Sequence, residues 1–396
     1  MAEVFCRYFT GYKPCGYSDT CDSTCVSRSI PEHRILIVHL GALGAVLRST
    51  TLLKAIHEKY KGAHITWITD APAHHLLANN PLLDRILISD LNGILTLSAL
   101  EFDVAFVVDK SLKAVGLLKQ TKTKKIYGFR AESVTGSIVP ATEAAYPLWE
   151  LGLSNDKKFF VNKKSEVQLM LEALELTGDK PEYILQLTKY EIAKSNERRR
   201  LWSPRGKMIV GLNTGCSPVI SYKKLTVEMH RQLITNLKKS DYEVVLLGGP
   251  EDTERNEKIA DGLDVYSSPT EHGIRDGLVS MNACDIVVTG DSLGMHMAIS
   301  LKKWVVAWFG PTCAHEIELY SRGVVVLTKA SCSPCWKRTC HNTPMCYDLV
   351  DINELINGIQ KGYQWLTSSS IPHLSVTSSL AFPSSEPSNR DSLIDR

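Results

Sequence analysis

A chain of 396 residues with 45 basic and 43 acidic side chains, a formal charge of +2, has no electrostatic footprint for nucleic acid and is too long for one small core. No apolar run approaches the roughly 20 residues that span a bilayer, and the opening Met1-Ala-Glu-Val-Phe-Cys-Arg-Tyr-Phe9 lacks the basic and apolar blocks of a secretion signal. The expectation is a two-domain cytoplasmic protein, associated with membranes peripherally at most.

Residues 1–33 are rich in Cys, Tyr and Gly without a period, an extension that something must hold. From Arg34 strands and helices alternate. Ile35 to Leu40 reads as a strand, Gly41-Ala-Leu-Gly44 as a tight turn and Ala45 to Tyr60 as a helix. Strands follow at Ile65 to Ile68, Arg85 to Ile88, Val104 to Val108 and near Lys125 to Gly128, with helices at Pro72 to Ala78 and Ser111 to Lys119. This is the signature of a parallel sheet covered on both faces. Residues 129–205 are more polar, with helices at Val167 to Leu176 and Tyr190 to Leu201, and form the connection; the run Arg198-Arg199-Arg200 reads as a solvated face.

Alternation resumes at Met208 to Leu212. A helix is expected over Val227 to Lys239, then strand Glu243 to Leu247, turn Gly248-Gly249-Pro250 and helix Glu251 to Gly262. Further strands lie near Val265 and at Ile286 to Val288, Val305 to Phe309 and Val324 to Leu327, before a closing helix over Asp351 to Leu366. The domains are therefore 34–205 and 206–366. From Thr367 the Ser- and Pro-rich chain is expected to be disordered.

The block Asp285 to Thr312 is strand, turn, helix, strand. Its turn, Gly290-Asp291-Ser292-Leu293-Gly294, presents helix N-terminal N–H groups to whatever sits above the strands, a ready place for a diphosphate. Asp291 at the lip can accept sugar hydroxyl hydrogens; an ordinary Asp-Ser helix cap is the plainer reading.

Four segments carry a family resemblance: Ile35-Leu-Ile-Val-His-Leu-Gly-Ala-Leu-Gly44, Gly211-Leu-Asn-Thr-Gly-Cys-Ser217 with Lys223-Lys224-Leu225, Val244-Val-Leu-Leu-Gly-Gly-Pro-Glu251, and the Asp285 to Thr312 block. In order and spacing they resemble glycosyltransferase family 9, the ADP-heptose:lipopolysaccharide heptosyltransferases. The resemblance implies an α/β GT-B fold, two Rossmann-like parallel-sheet domains facing across a cleft. It also implies inverting transfer from an ADP-sugar without a catalytic metal. In such a reaction the acceptor hydroxyl must lose a proton and the leaving diphosphate gains charge, so a carboxylate base and a cation or helix N-terminus are needed.

By this resemblance Lys223 meets the leaving group, with Lys224 as the alternative, and Thr214, Gly215 and Ser217 supply loop contacts to phosphate. Asp291 and Ser292 bind at the turn, Gly294, Met295 and His296 line the diphosphate end, and Gly249 approaches the nucleotide. His296 can equally be a hydrogen-bonded core histidine. The family usually has Asp directly after the second Gly of the N-terminal turn, and this chain has Ala45. The base is then assigned to Asp109, at the end of the strand Val104 to Val108, where an N-cap of the next helix is the competing role. Beyond Gly41 and Gly44, Arg48 could receive an anionic acceptor or stand on the surface unpaired. The expected acceptor is a lipopolysaccharide core intermediate; a protein O-heptosyltransferase, or a non-catalytic, metal-stapled nucleotide-binding protein suggested by Ala45, are the alternatives.

Eight of the eleven cysteines fall in two groups. Cys332, Cys335, Cys340 and Cys346 lie within fifteen residues and open with Cys-x2-Cys, the start of a zinc, iron or iron–sulfur site, in which His341 could replace one thiol. Cys6, Cys15, Cys21 and Cys25 are more loosely spaced and could make a second site or join the first. Some related protein O-heptosyltransferases resemble this chain in carrying a cysteine-bound iron that shapes their assembly, so an oligomer is compatible with the pattern.

Overall fold

The computed structural model describes residues 6–9 and 11–368. The first six strands are β1 (His33–Val38), β2 (Ala63–Thr69), β3 (Arg85–Ile88), β4 (Glu101–Val107), β5 (Lys122–Ala131) and β6 (Ile138–Pro140). They form one sheet in the order β3-β2-β1-β4-β5-β6, parallel except for the hairpin partner β6. The second sheet uses β7 (Met208–Asn213), β8 (Tyr242–Leu247), β9 (Tyr266–Ser267), β10 (Ile286–Gly290), β11 (Trp304–Phe309) and β12 (Gly323–Leu327). Its order, β12-β11-β10-β7-β8-β9, is parallel throughout. Central strands such as Ile35–Val38 and Ile286–Val288 are apolar on both faces, as strands covered by helices on two sides must be.

The helices around the first sheet are α1 (Leu43–Ser49), α2 (Leu52–Lys59), α3 (His74–Leu77), α4 (Leu91–Ser98), α5 (Leu112–Leu118), α6 (Tyr146–Glu150) and α7 (Glu166–Ala173). The rest are α8 (Lys189–Trp202), α9 (Val227–Leu237), α10 (Thr253–Ala260), α11 (Gly273–Asn282), α12 (Leu293–Ser300) and α13 (Ile352–Ser368). None is long and apolar enough to cross a membrane.

The single helix expected over 45–60 is broken at Thr50 and Thr51. Their hydroxyls donate to Leu47 O and Arg48 O at 2.7 and 2.8 Å, and their own N–H groups take the same i−3 carbonyls. Local side-chain bonds thus replace one turn of the i−4 ladder. The arginine run at 198–200 is not a uniformly solvated face. Arg198 is buried and grips both carboxylate oxygens of Asp276 at 2.8 Å, and Arg199 bonds Asp285, so α8 is clamped to the second lobe. Of the tail expected to be disordered from Thr367, Thr367 and Ser368 complete α13; residues 369–396 lie outside the described ones. The N-terminal extension is held through Arg7, which pairs with Asp84 at 3.2 Å and donates to Ala63 O at 2.7 Å.

The two lobes share one packed apolar cluster: Ile35, Val46 and Trp67 of the first and Val287, Met295 and Phe309 of the second belong to it. The seam is α1 against α12. A Cβ on Gly44 would overlap the His296 ring, with Nε2 only 3.0 Å away, so glycine permits this approach.

Candidate active site

Each sheet has a switch point, between β1 and β4 in the first and between β7 and β10 in the second. Loops leaving the carboxyl ends of strands on either side of a switch point form the usual ligand crevice of open α/β sheets. The residues expected at the site lie on these loops and at the seam between the lobes.

In the second lobe Asn213 ends β7 and ties two loops together. Its Nδ2 donates to Gly215 O at 2.9 Å and to the hydroxyls of Thr289 and Ser292, both at 3.1 Å. Gly294 sits against this amide; a Cβ there would stand 2.6 Å from the Asn213 side chain. Gly290 is needed because a Cβ would strike the carbonyl oxygen of Lys223. That contact lays the 214–226 loop on the β10 turn and brings Lys223 Nζ to 3.4 Å from Asp291 Oδ2. Burial alone would raise the Asp291 carboxyl; Lys223 and His296 outweigh it and hold the group below the usual range. Lys224 makes no such pair with Asp291; its charge is felt at His230 and, together with that of Lys223, at Cys216. The N-terminus of α12 has no side-chain cap, leaving its first N–H groups open to an anion.

Other expected contacts are committed inside the protein. The Thr214 hydroxyl bonds Leu247 O at 3.1 Å and Asn256 Oδ1 at 2.5 Å, and the residue is fully buried. Ser217 caps Val219 N at 3.3 Å. Gly215 is required by Asp252, whose Oδ1 would be 2.7 Å from a Cβ, whereas Gly249 has open space and donates its N–H to Asp252 at 3.0 Å. Met295 is fully buried, a core residue rather than a lining one. His296 is the core histidine of the alternative reading: Tyr183 Oη meets its Nδ1 at 3.0 Å, and burial, then Arg48, depress it to about 3.

In the first lobe Asp109 follows β4, and its Oδ2 accepts Leu40 N–H at 3.1 Å across the β1 turn. It is not the helix cap; Ser111 caps α5 by accepting from Ala114 N at 3.2 Å. Gly41 has open space around it. Beside them His39 is buried, bonded to Ser49 at 2.8 Å, and burial lowers it to about 4. Arg48 is no surface arginine: it is buried and pairs with Glu166 at 2.6 Å. An acceptor would have to displace Glu166 to use it.

The sequence reading did not single out Glu166, Lys158, Glu316, Tyr183 or Asn213. Of these only Asn213 had a signal, its place in the quoted Leu-Asn-Thr-Gly run. Lys158 Nζ lies 3.6 Å from Glu316 Oε1 across the lobes, and burial, then Glu166, push Glu316 up to about 7.

Cys332, Cys335, Cys340 and Cys346 border one small cavity with Tyr222 and Gly310. Burial and then the other three thiols raise Cys346 to about 11, so the sulfurs feel one another. No three of the eight grouped cysteines come within 4.8 Å of one another among the described residues; Cys6, Cys15, Cys21 and Cys25 do not assemble, and His341 is exposed outside the cavity. The loop is docked on the turn after β11: Cys335 N and Trp336 N donate to Pro311 O at 3.0 and 2.8 Å, and Tyr222 Oη donates to Lys337 O.

The sequence model of glycosyltransferase family 9 (heptosyltransferase) matches residues 94–346. The chain belongs to this family. It is a glycosyltransferase with the GT-B fold. A family 9 glycosyltransferase from Veillonella parvula DSM 2008 superposes with a TM-score of 0.63 at 16% identity, covering 84% of this chain and 98% of that one. E. coli ADP-heptose lps heptosyltransferase II gives 0.55 at 19% identity, with 83% and 99% covered. The iron-containing dodecameric glycosyltransferase TibC from enterotoxigenic E. coli gives 0.51 at 11% identity, with 85% and 77% covered. No curated protein matches in sequence.

Proposed function

We propose that the chain transfers heptose, or a similar sugar, from an ADP-sugar with inversion, 34–205 serving as acceptor side and 206–366 as donor side. The observation that carries this is the Lys223–Asp291 pair beside the uncapped start of α12, at the switch point of the second sheet. The acceptor oxygen attacks the anomeric carbon, Asp109 takes its proton, and the bond to the diphosphate breaks. The charge then appearing on ADP is met by Lys223 and the α12 N–H groups, so the step draws on protein cations rather than a metal. Asp291 accepts from sugar or ribose hydroxyls. The setting is cytoplasmic.

The acceptor of the first reading is a lipopolysaccharide core sugar. The cysteine-bordered cavity supports the second, a protein hydroxyl, in that the four thiols are ligands suited to iron and the similar glycosyltransferase TibC is iron-containing. The four thiols fit a metal of the zinc, iron or iron–sulfur class in their donor chemistry, and they border one cavity. Such a group would supply a fixed clasp on the Gly310–Pro311 turn. The test is ADP release from ADP-heptose with core lipopolysaccharide and with a protein substrate, alongside Asp109→Asn. Absence of release with every acceptor, in a chain that calorimetry shows does not bind the donor, defeats the proposal.

A further inference from the structure

We propose that Cys313, His315 and Glu316 form a cation site separate from the four-cysteine loop, taking one divalent ion of the zinc class. One thiol sulfur, one imidazole nitrogen and one carboxylate oxygen from these residues all lie within 4.8 Å of one another. Cys313 and Glu316 are buried and His315 is half-buried. The ring of His315 is drawn to the backbone of Lys158, while its Nε2 is buried without a hydrogen-bond partner. A buried polar atom left unpaired is costly and calls for an explanation; a bound ion supplies one.

The chemistry of the three donors selects the ion. A thiolate and a carboxylate balance a 2+ charge, and the neutral imidazole adds none. Sulfur and nitrogen ligands exclude calcium and magnesium, which take oxygen, and favour zinc. Three protein ligands leave one tetrahedral position open. The surroundings support the ligands as outer contacts do in metal sites: Trp336 Nε1 donates to Cys313 Sγ at 3.4 Å.

Positive charge already rests here. Lys158 Nζ lies 3.6 Å from Glu316 and 4.0 Å from the centroid of the Trp336 ring. Ion and ammonium therefore compete, and the ion enters as Lys158 swings to solvent. Lys158 comes from the first lobe and Glu316 from the second, so occupancy exchanges a contact between lobes for one within the second. This site stands whether or not the sugar-transfer reading holds.

The full chain, stripped with chelator, is titrated with Co2+ and the bound metal counted after desalting. His315→Ala should bind one equivalent fewer than the parent, with the thiolate-to-cobalt absorption of the four-cysteine loop unchanged and affinity at the lost site down at least ~100-fold. Lys158→Ala should retain that equivalent and hold it more tightly. Glu316→Gln, read in the same way, covers a folding failure of His315→Ala. Equal metal in the parent and in a folded His315 or Glu316 variant overturns the site.

Discussion

Replacing Lys223 by alanine probes the proposed chemistry most directly. Its ammonium stands 3.4 Å from Asp291, with side chains 15% and 16% exposed. At an effective dielectric of about 20, two unit charges at that separation attract by about 5 kcal/mol before desolvation is counted. In the free enzyme Asp291 uses that attraction, so an incoming diphosphate gains only the difference. The full benefit comes as the leaving group takes up charge, and one well-placed donor of this kind contributes about 3–4 kcal/mol. ADP release followed against donor concentration should then show kcat lowered about 100–1000-fold with a smaller change in donor KM. Lys224→Ala, which removes a lysine that does not pair with Asp291, serves as the control and should stay within about threefold of the parent, an effect of under 1 kcal/mol. A Lys223 variant within about tenfold of the parent, or a Lys224 variant with an equal loss, refutes the assignment.

Asp109→Asn should lower kcat by about 10²–10⁴ while melting as the parent does, because the amide oxygen can still accept Leu40 N–H at 3.1 Å; equal turnover by the two proteins removes Asp109 as base. Gly44→Ala forces a methyl into the His296 ring that Tyr183 holds at 3.0 Å, and urea unfolding should report a loss of about 1–3 kcal/mol. His230 is buried neutral, depressed by burial to about 4, with Nδ1 on Thr226 O at 2.8 Å. The unfolded chain binds its proton first, so this contribution is present above about pH 6.5 and is lost as pH falls toward 4, about 3 kcal/mol in all. His230→Asn keeps the Thr226 bond and should flatten that part of the acid limb; an unchanged slope counts against it. Cys335→Ser should cost the loop its metal by elemental analysis while the rest of the chain stays folded, and unaltered content argues against a thiolate site.

The sheets were legible because long apolar runs such as Ile35–Val38 and Trp304–Phe309 alternate with amphipathic segments, and alternation of that kind permits few topologies. Three helices escaped: α4, α6 and α11. α4 carries Gly93, where a Cβ would strike Ile88 O, and α11 opens on Gly273 at φ +79° with no capping side chain. Lys223 and Asp291 each stood out by their motifs, although their pairing with one another did not, and Arg48 could not be read correctly. Its partner Glu166 is 118 positions away, and nothing local marks Arg48 as buried. Met295 and Thr214 show the opposite failing: residues inside a ligand motif are also those that anchor its loops, and spacing does not separate the roles.

The seam through Gly44 and His296 bears on how ligands come and go. A pair of lobes joined by apolar packing cannot part like a clamshell without wetting Met295, Val46 and their neighbours. On the proposed function, a sugar nucleotide would then come and go at the periphery of the crevice, where loop 214–226 and the cysteine loop meet through Tyr222 and Lys337.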